Sequence, residues 1–266
     1  MRKPLTLWIL ALLVTAFSAV YQRMTGPTYP VRGSVTLGGL QYDLRLARSQ
    51  ETTGDQLIRV AIPDATVQGT VKWRRFPSND AYQTVTLQRN GELLECALPK
   101  QPAAGKIEYQ VLLVRGVEQQ LFPARPAVTR FKDPVTQSVL IPHILAMFIG
   151  MLISTRAGLA ALVGSETRLL TFLTLLFIVI GGFILGPVMQ KQAFGTYWAG
   201  VPFGFDLTDN KTLLALAAWV AAAWLVAAQN ASARWAVLGA AVVTLVVFAI
   251  PHSVWGSEID WTQRPV

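Results

Sequence analysis

The chain of 266 residues has one cysteine, Cys96, and two histidines, His143 and His252. A single thiol excludes an intrachain disulfide and every CxxC metal or redox motif. Charge is scarce as well: Asp, Glu, Lys and Arg make up 14% of residues against 52% apolar types, a balance too apolar for an ordinary soluble domain of this length. The net charge is +8, yet the basic residues stand singly among acids. No Lys/Arg run and no aromatic RNA-binding signature accompanies them, which argues against nucleic acid as a partner. GxSxG, P-loop, HExxH and strand-linked GxGxxG motifs are absent, so hydrolase, NTPase and dinucleotide readings have no support and no catalytic residue is assigned.

The charges that exist are unevenly placed. Gln22 to Gln137 hold most of them, whereas Ser138 to Ile250 contain long stretches with none. At the N-terminus Arg2 and Lys3 precede an apolar run from Leu5 to Val20, the charged and hydrophobic regions of a secretion signal. Residues 1–21 are therefore expected to be either an uncleaved signal anchor or a signal peptide cleaved near Ala16-Phe17-Ser18. Both readings carry the next segment of the chain out of the cytoplasm.

Between Tyr29 and Phe131 the hydrophobic period becomes two, the mark of half-buried strands. Ile107, Tyr109, Val111 and Leu113 alternate with Glu108 and Gln110, and Leu94, Cys96 and Leu98 alternate with Glu95 and Ala97. Gly38-Gly39 separates Ser34–Leu37 from Leu40–Leu46, and Asn90-Gly91 separates Thr84–Gln88 from Glu92–Leu98, each a two-residue hairpin signal. With runs at Leu57–Ile62, Thr70–Phe76 and Ala127–Phe131, this predicts an all-β sandwich over residues 28–132, cored by Val71, Trp73 and Val85. Cys96 reads as a small buried core residue. The stretch VKWRRFPSNDAYQTVTLQRNGELLECALPKQPAAGKIEYQVLL resembles the second half of immunoglobulin-like or fibronectin-type domains of bacterial envelope proteins. The resemblance implies a binding module of unspecified ligand.

After Lys132-Asp133-Pro134 membrane-length apolar runs begin, at Ser138–Ser154, Leu169–Met189, Leu213–Ala228 and Trp235–Ile250. The expected fold class is thus an extracytoplasmic immunoglobulin-like β-sandwich followed by an α-helical transmembrane bundle of four helices over residues 138–250, with a tail at 251–266. Arg156, Arg168 and Arg234 would face the cytoplasm with Arg2 and Lys3, against Lys191, Lys211 and Arg264 on the outer side, a modest asymmetry in the expected direction. Gly182 and Gly186 form a GxxxG, a site of close helix packing within the chain or of a homo-oligomer face.

Ionisable residues close to hydrocarbon are costly and therefore functional candidates. Both histidines follow the same dipeptide, Ile141-Pro142-His143 and Ile250-Pro251-His252. Pro142 is expected in the first turn of its helix, and Pro251 at the end of the last one. The two rings would meet at the outer end of the bundle, with Asp209, Glu258 or Asp260 as neighbours. Read as ligands, they would hold a metal or a haem; read structurally, His143 makes one interhelical hydrogen bond and His252 is interfacial. The loop KQAFGTYWAGVPFGFDLTDNKT places aromatics between glycines, suiting a segment in the membrane interface or a re-entrant cavity wall. Its binding candidates are Trp198, Asp206, Asp209 and Lys211, with Thr208 or Asp209 as the cap of the following helix.

That loop, with IPHILAMFIGMLISTRAGL and IPHSVWGSEIDW, resembles a family of uncharacterised bacterial integral membrane proteins that carry an N-terminal β domain. The resemblance spans most of Ser138 to Trp261 and brings no activity with it. The expectation is a non-enzymatic protein of the bacterial inner membrane, with the β domain and C-terminus on the outer side. The β domain would bind a protein or glycan, and the bundle would anchor it or dock in a membrane complex. The alternatives are a metal- or haem-binding subunit and, third, a small transporter.

Overall fold

The computed structural model describes residues 4–252, 254–256 and 258–263; Arg2, Lys3 and Arg264, which enter the charge asymmetry, lie outside them. The chain divides into two compact units, Met1–Gly26 with Val135–Ser257, and Pro27–Pro134 with Glu258–Val266. This corrects the expected fold class. The order is helix, then sheets, then helices, because the first element, α1 (Pro4–Thr25), is a 22-residue helix that belongs to the helical unit. It packs against α2 (Gln137–Leu162) and α6 (Ala233–Ala249). Leu7, Ala11 and Thr15, spaced four apart, are its buried stripe, as the helical repeat requires.

The β unit is not a pair of facing sheets but three sheets. β1 (Val31–Leu37) and β2 (Leu40–Leu46) form a hairpin, turned at Gly38 and Gly39, whose φ of 58° and 75° give the left-handed pair that this turn demands. β4 (Gln56–Ala61), β8 (Leu93–Leu98) and β7 (Gln88–Asn90) form a second sheet. The third runs β3 (Ser49–Glu51), β10 (Glu118–Lys132), β9 (Lys106–Arg115), β5 (Gln68–Arg75) and β6 (Gln83–Thr86), with β3 parallel to β10.

The predicted strand Thr84–Gln88 is two strands in two sheets. β6 pairs with β5, β7 pairs with β8, and the chain changes sheet at buried Leu87, whose amide bonds to Gly69 O. The turn residues of the β7–β8 hairpin are Gly91 and Glu92, since Asn90 pairs with Leu93. Val71 and Trp73 are buried, and Val85 and Cys96 pack partly buried against the same core. On β9, Glu108 and Gln110 are buried too, and both are satisfied. Glu108 pairs with Arg74 and accepts from Tyr82 Oη at 2.7 Å, and Gln110 Nε2 donates to Pro123 O at 2.8 Å.

The tail closes on this unit. Ile259 N donates to Ala104 O at 3.3 Å and Trp261 N to Pro77 O at 3.1 Å, while Lys106 pairs with Glu258 and Arg75 lies over the Trp261 ring.

In the helical unit, four helices are long and apolar enough to cross a membrane: Leu5–Thr25, Gln137–Leu162, Arg168–Phe194 and Leu207–Ala227. Ala233–Ala249 is a shorter apolar helix. The third comprises α3 (Arg168–Ile178), a π-helical stretch Val179–Leu185, and α4 (Gly186–Phe194); the fourth is α5. α2 runs eight residues past the expected Ser154 end; Thr155 there bonds its hydroxyl to Met151 O, and Arg156 is buried. Trp219 is fully buried and donates to Thr244 Oγ1 at 2.7 Å. A Cβ on Gly158 would lie 2.7 Å from that of Ala241, so α2 and α6 approach closely. Exposed Phe17, Leu214 and Trp224 leave an apolar exterior.

Candidate functional site

At the start of α5 (Leu207–Ala227) the N-cap Asp206 and the first-turn residues Asp209, Asn210 and Lys211 each have a structural partner. Asp206, not Thr208 or Asp209, caps the helix: its Oδ1 accepts from Thr208 N at 2.8 Å, satisfying one amide that the first turn leaves open. The chain before it folds back over the helix start. Asp209 Oδ2 accepts from Ala199 N at 2.6 Å, Gly200 N at 3.1 Å and Gln190 Nε2 at 3.2 Å. Asn210 Oδ1 accepts from Val201 N at 2.7 Å. A Cβ on Gly200 would lie 2.7 Å from both Asn210 Oδ1 and Asp209 Cβ, so the clamp requires glycine there. Lys211 is buried and its Nζ donates to Ile250 O.

The clamped loop orders its aromatics. Trp198 stacks on Phe183 at 5.5 Å and donates Nε1–H to Val201 O at 3.1 Å. Phe203 and Phe205, 83% and 89% exposed, and Trp255, 74% exposed, project outward. Thr196, Trp198, Phe203, Phe205, Asp206 and Trp255 line an open cleft of ≈ 550 Å³, large enough for a small ligand or a partner side chain. Trp255 O accepts the Leu207 amide at 3.1 Å, which ties the segment after α6 to the start of α5.

His143 is half-buried on α2, and its Nδ1 lies 2.9 Å from Gly181 O in the π-helical stretch. A carbonyl can only accept, so Nδ1 carries the proton in the neutral ring and Nε2 is the open acceptor. Pro142 is not in the first turn. α2 begins at Gln137, so the proline removes an intrahelical bond in the second turn. Gly181 and Gly182 make the close approach possible: added Cβ atoms would fall 2.6 Å from Met147 Sδ and 2.7 Å from Thr212 Cγ2. Gly182 of the GxxxG thus meets this chain's own side chains.

His252, just past the end of α6, is exposed. The expected acidic neighbours of the two histidines are engaged elsewhere. Asp209 holds the loop, Glu258 belongs to the β unit and pairs with Lys106, and Asp260 accepts from Thr262 N and Oγ1. Among the described residues no three of His, Cys, Asp and Glu gather where a metal ion could bind.

Of the four loop candidates, Trp198 and Asp206 line the cleft, while Asp209 and Lys211 are buried behind it. Sequence reasoning missed Gln190, Asn210 and the carbonyls of Gly181 and Ile250. The only local signal for any of them was the Gly181-Gly182 pair. Comparison with protein-family models, curated proteins and solved structures returned no match.

Proposed function

We propose that the protein is a non-catalytic, membrane-integrated protein of the bacterial inner membrane, whose outer face carries a β unit and an aromatic loop that engage a protein or glycan partner. One observation carries this reading. Asp209, Asn210, Lys211 and His143 each hold a backbone group in place, and what the site offers outward is the aromatic surface of Phe203, Phe205 and Trp255. Polar groups committed to shaping a loop and exposed rings at its rim suit recognition or interfacial anchoring.

The hydrogen bonds of the tail support the topology. Ile259 and Trp261 pair with Ala104 and Pro77, so the chain must be on the same side at Pro134 and at Glu258. That requires an even number of crossings between them. α2, the α3–α4 helix, α5 and the 17-residue α6 supply four, which argues that the short helix crosses too, with local thinning of the bilayer. The Arg156, Arg168 and Arg234 end is then the cytoplasmic one.

The test uses the full chain with a photo-crosslinking residue at Phe205, expressed in membranes and washed with alkaline carbonate. Retention in the pellet with one reproducible adduct of defined mass supports the reading. Release by carbonate, or no adduct beyond that of a probe at the lipid-facing Trp224, sinks it. The haem or metal reading keeps one favourable observation: the Gly181 bond uses Nδ1 of His143 and leaves Nε2 as its acceptor nitrogen. An absorption spectrum and metal analysis of the purified protein decide it.

A further inference from the structure

Arg156 lies less than two turns before the end of α2 at Leu162, and only 8% of it is exposed. Its guanidinium sits over the Trp8 ring of α1, 5.5 Å from the centroid. Nε and Nη1 are buried with no hydrogen-bond partner, and none of the salt bridges among the described residues includes it. Arginine does not shed its proton in proteins, and a buried charge without an anion is costly. The indole face supplies cation–π attraction but no acceptor.

Its neighbours in sequence order are accounted for. Arg234 donates from Nε and Nη2 to Ala161 O at 2.6 Å and Leu162 O at 2.9 Å, closing the C-terminus of α2. Arg168 lies over Phe172, and Glu166 accepts from the Arg168 amide. Arg156 alone among these three arginines has buried donors left over.

Depth identifies what could supply the acceptor. A 26-residue helix is about 39 Å long at 1.5 Å per residue, against a hydrocarbon core of about 30 Å. If α2 is centred, its last ~4–5 Å project into the headgroup layer, and Arg156, ~9 Å from the helix end, starts ~4–5 Å inside the boundary. Protein closes off Nε and Nη1 in the conformer seen here, so the guanidinium must turn outward past Trp8 to meet a phosphate, and a side chain of that length reaches the phosphate plane from there. Trp8, 38% exposed, is at the depth indoles favour, and arginine is the side chain best matched to phosphate oxygens.

We propose that Arg156 and Trp8 form a binding site for the phosphodiester of an anionic phospholipid at the C-terminal end of α2. The inference rests on the membrane-integrated reading above. The shared chemistry is a phosphate on a guanidinium, so lipid and free phosphate must be told apart.

The experiment monitors thermal unfolding of the delipidated full chain in zwitterionic detergent, with phosphatidylglycerol, phosphatidylcholine or inorganic phosphate added. Phosphatidylglycerol is expected to raise the midpoint by several degrees in the wild type and by less than half as much in Arg156→Gln. Arg156→Lys, which keeps the charge and loses the planar donor set, should fall between, and Arg168→Gln should respond as wild type. An equal shift in wild type and Arg156→Gln overturns the site. An equal shift from inorganic phosphate or phosphatidylcholine overturns the anionic lipid as its occupant. Should Arg156→Gln not fold, lipid co-purifying with the wild type decides: mass spectrometry should find anionic phospholipid retained preferentially, and its absence overturns the proposal. Carbonate extraction separates the two failures, because release from membranes overturns the membrane reading itself, whereas retention without a phosphatidylglycerol effect overturns the Arg156 site alone.

Discussion

Asp209 Oδ2 accepts the backbone amide of Ala199 at 2.6 Å, and this bond fastens the aromatic loop to the first turn of the helix after it. The same oxygen also receives Gly200 N and Gln190 Nε2. Removing the carboxylate leaves several donors unsatisfied in a buried place, where hydrogen bonds to a charged group are worth about 1.5–3 kcal/mol each. Asp209→Ala is expected to cost about 3 kcal/mol, whereas Asp206→Ala, which removes one N-cap bond, should cost about 1 kcal/mol. Denaturant titration of the purified protein by tryptophan fluorescence measures both. Equal costs would mean that the clamp does not hold the loop.

Two glycines should respond oppositely to the same change. At Gly200 a methyl group would fall 2.7 Å from Asn210 Oδ1 and Asp209 Cβ, so Gly200→Ala must push the loop off its clamp and lower the midpoint. At Gly239, within α6, a Cβ meets nothing within 4 Å. Gly239→Ala should be neutral or stabilise by up to about 1 kcal/mol, from helix propensity. A thermal melt of each variant checks the pair.

How much of the fold was legible in the sequence depended on how local the cause was. The β1–β2 hairpin announced itself in Gly38-Gly39, and the strand at Ile107–Leu113 in its period of two. Glu108 and Gln110 looked like an outer face by that same period. Their burial comes from β9 being central in its sheet and from partners, Tyr82 and Pro123, that fold over it. The change of sheet at Leu87 leaves no mark in composition, since β6 and β7 read as one extended run. Asp209 reads as a ligand among the other acids, and becomes a clamp only when Ala199 and Gly200 return to it. Glu258 and Asp260 stand near His252 in the chain, but their bonds lie with the β unit.

The β unit should fold without the helices. Its core, from Val35 through Tyr109 to Phe131, is built from its own strands, enough for a domain of this length. A fragment of residues 27–134 is expected to melt cooperatively by circular dichroism. Addition of the tail sequence in the same chain should raise the midpoint through Ile259, Trp261 and the Lys106–Glu258 pair. A fragment without a cooperative transition would make the unit dependent on the helices.

Within that fragment stability should fall in acid. Arg75 binds Asp80 through Nε at 2.6 Å and Nη2 at 2.9 Å, and this pairing, ahead of the Ser78 bond, holds the Asp80 carboxyl below its usual pKa. The folded state therefore takes up this proton only at a lower pH than the unfolded chain does. The stabilisation is fully present above the unfolded value, about 3.9, and is lost as pH falls through the folded one. Asp80→Asn should flatten the acid limb of a stability profile measured between pH 2 and 6, and leave its slope near pH 7 unchanged.

His143 gives the final prediction, because its two readings differ in what the protein would carry. The ring donates from Nδ1 to Gly181 O, a carbonyl that also accepts the Gly186 amide in the π-helical stretch. Losing the ring leaves that carbonyl still bonded, so His143→Ala should cost about 1 kcal/mol, the usual scale of an interhelical bond in a membrane bundle. His143→Asn, whose side-chain amide can donate in place of Nδ1, should recover part of it, while His252→Ala should change stability little because its ring is exposed. A structural bond moves stability in that graded order and leaves the absorption spectrum and metal content of the purified protein as they were. A ligand pair behaves otherwise: either alanine substitution alone abolishes a stoichiometric metal or a Soret band, and asparagine rescues nothing.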